Sequence, residues 1–133
     1  VLRVRVTDGR VVLTYKGPRL AGESKAREEI EVEVGDDRSI KELLVRLGFK
    51  EVAVVEKVRE TYELHYAGLR TLINVDEVEG LGLFVELEAC VSPKEVDKAE
   101  EALRSLLRAL DVKGPYIRES YLELMMAEGL ITL

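Results

Sequence analysis

From Leu2 to Tyr15 the chain alternates. Leu2, Val4 and Val6 flank Arg3 and Arg5, and after Asp8-Gly9 the positions Val11, Leu13 and Tyr15 take turns with Val12, Thr14 and Lys16. A period of two sends alternate side chains to opposite faces of a strand. Asp-Gly between two such runs tolerates the positive φ of a tight hairpin, so two antiparallel strands are expected. Gly17 to Lys25 (GPRLAGESK) mixes glycine, proline and charge without an apolar period and reads as a mobile loop. A third strand is expected over Arg27 to Val34, with Ile30, Val32 and Val34 on one face and Arg27, Glu29, Glu31 and Glu33 on the other.

Period 3.6 then takes over. Ile40, Leu43, Leu44 and Leu47 share one helical face, with Ser39 as cap, Glu42 closing a capping box and Gly48 as the left-handed stop. Strand character is expected to return from Phe49 to Tyr66, turn at Ala67-Gly68, and continue in Leu69 to Val78 and Leu83 to Ala89 around Gly80-Leu81-Gly82. Ser92-Pro93-Lys94-Glu95 reads as a second capping box. It opens an amphipathic helix with Val96, Ala99, Leu103, Leu106, Leu107 and Leu110 on its apolar stripe, expected to lie on the sheet. A last helix is expected over Ser120 to Ala127, with Met125 and Met126 in the core. His65 reads as a surface residue and Cys90 as a small buried hydrophobe.

The polar faces of these strands are selectively ionic, which changes the picture. Arg3 and Arg5 share a face, as do Lys57 and Arg59, Glu86 and Glu88, and Arg27, Glu29 and Glu31. If the sheet curls into a barrel with helices outside, the apolar faces pack outward and the charged faces line a lumen. Arginine and lysine suit phosphate oxygens; carboxylates at i, i+2 suit Mg²⁺ or Mn²⁺. The plainer alternative is a solvated face laced with ion pairs. The Gly80-Leu81-Gly82 segment reads as a strand connection rather than a phosphate loop.

The 133 residues are 47% hydrophobic and 35% charged, enough for one folded domain, and the formal net charge of −6 argues against a nucleic-acid partner. One cysteine and one histidine exclude an intrachain disulfide and a Cys- or His-rich metal cage. Glutamine is absent and asparagine occurs once, at Asn74, a composition that suits a thermophile. With no apolar run long enough for a membrane span, no membrane partner and a cytoplasmic location are expected.

Arg3, Arg5, Lys16, the REEIE of 27 to 31, the KVR of 57 to 59 and the VDEVEGLGLFVELE of 75 to 88, in that order, resemble the CYTH family of triphosphate tunnel metalloenzymes. Class IV adenylyl cyclases and thiamine triphosphatases are its namesakes. The SYLEL of 120 to 124 resembles the family's ending. The resemblance implies an α+β fold: an eight-stranded antiparallel β-barrel, the triphosphate tunnel, with helices packed outside. The family places a strand bearing ExExK before the LRxR strand, whereas this sequence starts at Val1 with LRxR. A single CYTH-like domain over residues 1 to 133, with its first strand missing from the sequence, is therefore expected.

By the same resemblance, Arg3, Arg5, Lys16, Arg27, Lys57 and Arg59 bind triphosphate, and Glu86, Glu88, Asp76, Glu29 and Glu31 hold Mg²⁺ or Mn²⁺. The implied substrate is a small triphosphate: ATP, thiamine triphosphate or tripolyphosphate. The implied reaction is conversion of ATP to cyclic AMP and pyrophosphate, or release of orthophosphate by a triphosphatase. A non-catalytic polyphosphate- or nucleotide-binding module is the alternative, and a homodimer is a further expectation.

Overall fold

The computed structural model describes residues 1–20 and 26–131, which divide into two compact units, Val1–Val52 and Ala53–Leu133. In the first unit, β1 (Leu2–Thr7), β2 (Arg10–Arg19) and β3 (Arg27–Val34) form an antiparallel sheet in sequence order, followed by α1 (Asp37–Arg46). In the second, β4 (Lys57–Tyr66), β5 (Leu69–Val78) and β6 (Gly82–Ala89) form another. A 3₁₀ turn (Pro93–Glu95), α2 (Val96–Ala109) and α3 (Tyr121–Ala127) follow.

The α+β class and antiparallel pairing stand, but the eight-stranded closed barrel is corrected. The described residues form six strands in two three-stranded sheets, with no closed barrel among them, and nothing in them supports a missing first strand.

Both hairpins are two-residue turns with positive φ at each central residue. Asp8 and Gly9 sit at 49° and 77°, and Ala67 and Gly68 at 52° and 77°. This twist matches that of the flanking strands. The connection at Gly80-Leu81-Gly82 is a turn between β5 and β6, closed by the Leu81 amide donating to the Val78 carbonyl at 3.1 Å.

Other boundaries shift for local reasons. β2 continues through Gly17 and Pro18 to Arg19, where a loop was expected, because a bulge between Lys16 and Arg19 seats the proline without breaking a regular ladder. Residues 21–25 of that loop lie outside the described residues. Strand structure expected from Phe49 begins only at Lys57, where the ladder with β5 ends at Lys57 opposite Val78. The apolar Val52, Val54 and Val55 before it are exposed, without a partner strand among the described residues.

Helix caps shift as well. The Asp36 carboxylate, rather than Ser39, caps α1 by accepting the Ser39 amide at 2.8 Å. A carboxylate both satisfies that donor and complements the helix dipole, so the helix starts earlier than expected. The Ser92 hydroxyl caps no backbone amide; it donates to the Glu95 carboxylate at 3.4 Å while Pro93 opens a tighter 3₁₀ turn. Gly48, at φ 96°, is the left-handed stop expected after α1.

In the second unit α2 packs on β6 and buries Ala99 and Ala102 with Leu69, flanked by Tyr66 and Val91. Alanines at the contact let the helix approach the sheet closely, which is why Ala102 joins the core ahead of Leu103. Tyr66 and Ser105 hydroxyls pair at 2.8 Å across this interface. Cys90, which follows the last residue of β6, and Met126 in α3 are exposed, against expectation.

β5 changes its buried face along its length. Leu69 and Thr71 are buried at its start, on the α2 side; Asn74, Asp76 and Val78 are buried further on, on the opposite side. Its far half therefore carries polar groups into the interior, where each needs a partner.

Ala67 adopts a left-handed conformation that costs a residue with a Cβ roughly 1 kcal/mol, and asparagine tolerates it better. Ala67→Asn should raise stability by about 0.5–1 kcal/mol, read as a higher urea midpoint with an unchanged slope.

Candidate active site

In β4–β5–β6 the register sets three rows across one face: Arg59, Asp76 and Phe84; Thr61, Asn74 and Glu86; Glu63, Leu72 and Glu88. Lys57 lies one row further on, opposite Val78. The predicted residues Lys57, Arg59, Asp76, Glu86 and Glu88 thus share a surface, as alternation on three paired strands requires.

Arg59 is its centre. Its Nε and Nη2 donate to the two oxygens of Asp76 at 2.6 Å each, a bidentate fork, and Nη2 also donates to Glu86 Oε2 at 2.8 Å. Its Nη1 lies 3.7 Å from Glu88. Lys57 Nζ is 3.7 Å from Asp76 Oδ2. The Asp76 side chain is 0% exposed, and this cationic company lets it stay ionised there. Burial alone would push its carboxyl up; the hydrogen bonds from Arg59 and Tyr121, with the charges of Arg59 and Lys57, outweigh that and hold it below its ordinary value. Burial likewise opposes the Arg59 charge, but Asp76, Glu86 and Glu88 more than compensate and hold the guanidinium above its ordinary value.

α3 adds a residue that strand alternation does not reveal. Ser120 and Glu123 form a reciprocal capping box at its start, which fixes Tyr121 over the charged face. The Tyr121 hydroxyl donates to Asp76 Oδ2 at 2.6 Å, its ring contacts Phe84 with centroids 5.1 Å apart, and Lys57 Nζ lies 5.2 Å above it. Burial and the bond to Asp76 push the phenol above its ordinary value, so it stays a donor. Within this sheet α2 packs against the apolar face, while α3 delivers Tyr121 to the charged one.

In the first unit, register aligns Arg3 with Thr14 and Glu31, Arg5 with Val12 and Glu33, and Lys16 with Glu29. Lys16 lies 3.1 Å from Glu29. Burial and the neighbouring Arg3 push the Lys16 ammonium below its ordinary value against the pull of Glu29. Thr14, fully buried, donates to Glu31 at 3.4 Å. Arg27 stands opposite Arg19 beyond the bulge. Glu29 and Glu31 thus belong to a different sheet from Asp76, Glu86 and Glu88.

A model of the CYTH domain matches residues 1–121. A protein of Methanocaldococcus jannaschii named as a putative adenylate cyclase is 45% identical over 125 residues, 92% of this chain and 69% of its own length. A solved structure from Pyrococcus horikoshii is 44% identical with a TM-score of 0.82, over 96% of this chain and 72% of that one. A conserved hypothetical protein from Pyrococcus furiosus is 32% identical with a TM-score of 0.79, over 92% and 73%. The chain belongs to the CYTH family.

CYTH proteins are triphosphate-tunnel enzymes and generally depend on divalent metal. Among the described residues, no group of three or more His, Cys, Asp and Glu is placed to hold a metal ion. The second sheet offers a pair instead, Glu86 and Glu88, with side chains 26% and 50% exposed. Two hard carboxylates suit Mg²⁺, which commonly takes one or two carboxylates and completes its shell with water and substrate phosphates. The donor set fits in that limited sense. Asp76 is a poorer donor, because Arg59 and Tyr121 already occupy its oxygens. Sequence reasoning about this CYTH chain passed over Asn74 and Thr61, which hydrogen-bond at 2.8 Å between Arg59 and the glutamates. Their parity with Asp76 and Arg59 was the available signal.

Because Arg59 holds Asp76 below its unfolded value, the folded chain releases this proton more readily. The resulting stabilisation is fully present above the unfolded pKa of about 4 and is lost as pH falls through the depressed folded value. Asp76→Asn should flatten that acid limb in urea titrations. It should also cost about 3 kcal/mol at neutral pH, since Arg59 keeps its burial but loses its main counter-ion.

Proposed function

We propose that this protein is a divalent-metal-dependent enzyme acting on a nucleoside triphosphate, of the class IV adenylyl cyclase kind, converting ATP to cyclic AMP and pyrophosphate. The observation that carries the proposal is Arg59, a guanidinium held by carboxylates beside Lys57 on one sheet face. Such a cation presents planar donors to phosphate oxygens, and its neighbours keep it oriented before substrate arrives. The name of the Methanocaldococcus relative supports the cyclase over other triphosphate chemistry.

Lys57 and Arg59 bind phosphate oxygens and stabilise the charge that develops as the phosphorus–oxygen bond breaks. Arg3, Arg5, Lys16 and Arg27 are the phosphate-binding cations of the first unit. Asp76 and Tyr121 orient Arg59 and Lys57. Glu86 and Glu88 would hold Mg²⁺ or Mn²⁺, which when bound neutralises triphosphate charge. Glu29 and Glu31, engaged by Lys16 and Thr14, set the charge around those groups. The ribose 3′-hydroxyl oxygen bonds to the α-phosphorus as the bond from that phosphorus to the α–β bridging oxygen breaks; pyrophosphate leaves and the hydroxyl proton passes to solvent.

Phosphorus NMR of the protein incubated with ATP and Mg²⁺ or Mn²⁺ should show pyrophosphate, with cyclic AMP alongside. ADP and orthophosphate would replace the cyclase reading by a triphosphatase. No turnover of ATP, thiamine triphosphate or tripolyphosphate would leave a binding module. Glu86→Gln and Glu88→Gln should each lower kcat on the order of 100-fold while leaving the far-ultraviolet dichroism unchanged.

A further inference from the structure

Asn74 is 1% exposed and sits in the middle row of the charged face, flanked by Thr61 on β4 and Glu86 on β6. Its Oδ1 accepts the Thr61 hydroxyl at 2.8 Å, which turns the carboxamide oxygen towards β4. Its Nδ2 is buried with no hydrogen-bond partner among the described residues. A buried amide donor left unmade costs about 1–3 kcal/mol, and such groups in folded proteins call for an explanation. The cost is incurred by the chain's sole carboxamide, since it has one asparagine and no glutamine.

The neighbouring contacts supply the explanation. Directly opposed residues on antiparallel strands have Cβ atoms about 5 Å apart, so the Glu86 carboxylate lies within a small side-chain rotation of the Asn74 amide. Glu86 is instead drawn to Arg59 Nη2 at 2.8 Å, reaching diagonally across the Asn74 row. Any anion that draws the Arg59 guanidinium to itself loosens that bond. The Glu86 carboxylate then has a waiting donor beneath it, on rigid strand.

We propose that Asn74 is a positioning residue, whose Nδ2 takes over the Glu86 carboxylate when Arg59 transfers its guanidinium to a substrate phosphate. The exchange keeps one bond to the Glu86 carboxylate, retains Glu86 on the charged face, and satisfies a donor left unpaired without ligand. Asn74 is thereby a discriminating element for polyphosphate anions, because only a ligand able to compete for Arg59 completes its bonding. The inference rests on the phosphate-binding role given above to Arg59.

The composition makes the test direct. With no glutamine and one asparagine, a uniformly ¹⁵N-labelled protein has one side-chain carboxamide pair, that of Asn74. Titration with inorganic tripolyphosphate, without metal, should move this pair downfield and slow its exchange with solvent. In Glu86→Leu the shift should vanish although backbone signals of β4 still report binding. A shift that persists in Glu86→Leu would mean that the amide meets the ligand itself, and would overturn the proposal. So would an unmoved pair in wild-type protein whose β4 signals respond. No response anywhere, with calorimetry confirming no binding, would overturn the phosphate-binding reading and this inference together. In turnover, Asn74→Leu should lower kcat roughly 10- to 100-fold, as loss of a residue orienting a ligand group does. It should add nothing in a Glu86→Gln background; additive losses would make its role merely structural.

Discussion

A guanidinium held among carboxylates organises the second unit. Arg59 and Asp76 stand opposite each other on β4 and β5, and neither tolerates the interior alone. Their bidentate pairing fixes Arg59, which then gathers Glu86 and Glu88, while Asp76 anchors Tyr121 and with it the start of α3. The pair is less a source of net stability than a constraint. Removing one member leaves the other buried and charged, so the surrounding side chains have few alternative arrangements.

That constraint explains why β5 exchanges its buried face along its length. Near Leu69 the strand is an ordinary amphipathic element under α2, with small alanines at the contact. Near Asp76 the opposite face is interior, and hydrogen bonding replaces apolar burial as the condition of folding. Asn74 stands at the transition, with one end of its carboxamide satisfied by Thr61 and the other not. Strained or unsatisfied groups concentrate where function needs a second arrangement. The same sheet thus joins a plain core to a surface arranged around anion chemistry.

The first unit shows the milder version of this arrangement. Lys16 and Glu29 pair at 3.1 Å, Thr14 is fully buried opposite Glu31, and burial together with the Arg3 charge lowers the proton affinity of Lys16. The CYTH family match spans both sheets.

Alternation in the sequence determined which residues share a strand face, because side chains on a strand must alternate and two-residue turns set the register. Lys57 with Arg59, Glu86 with Glu88, and Arg3 with Arg5 could be grouped on that ground alone. So could the hairpin at Asp8-Gly9, since few residues accept its backbone angles, and the turn at Ala67-Gly68, where a glycine interrupts two strand runs. Tertiary structure decided what periodicity does not encode. Which carboxylate closes on Arg59, which end of β5 is buried on which face, and where Tyr121 lands depend on partners distant in sequence. Local competition decided the rest: Asp36 displaced Ser39 as a cap because its carboxylate answers both an unpaired amide and the helix dipole. Sequence pattern names the face; only packing decides what it is packed against, because burial free energy and pairing of buried charge are properties of the assembled neighbours.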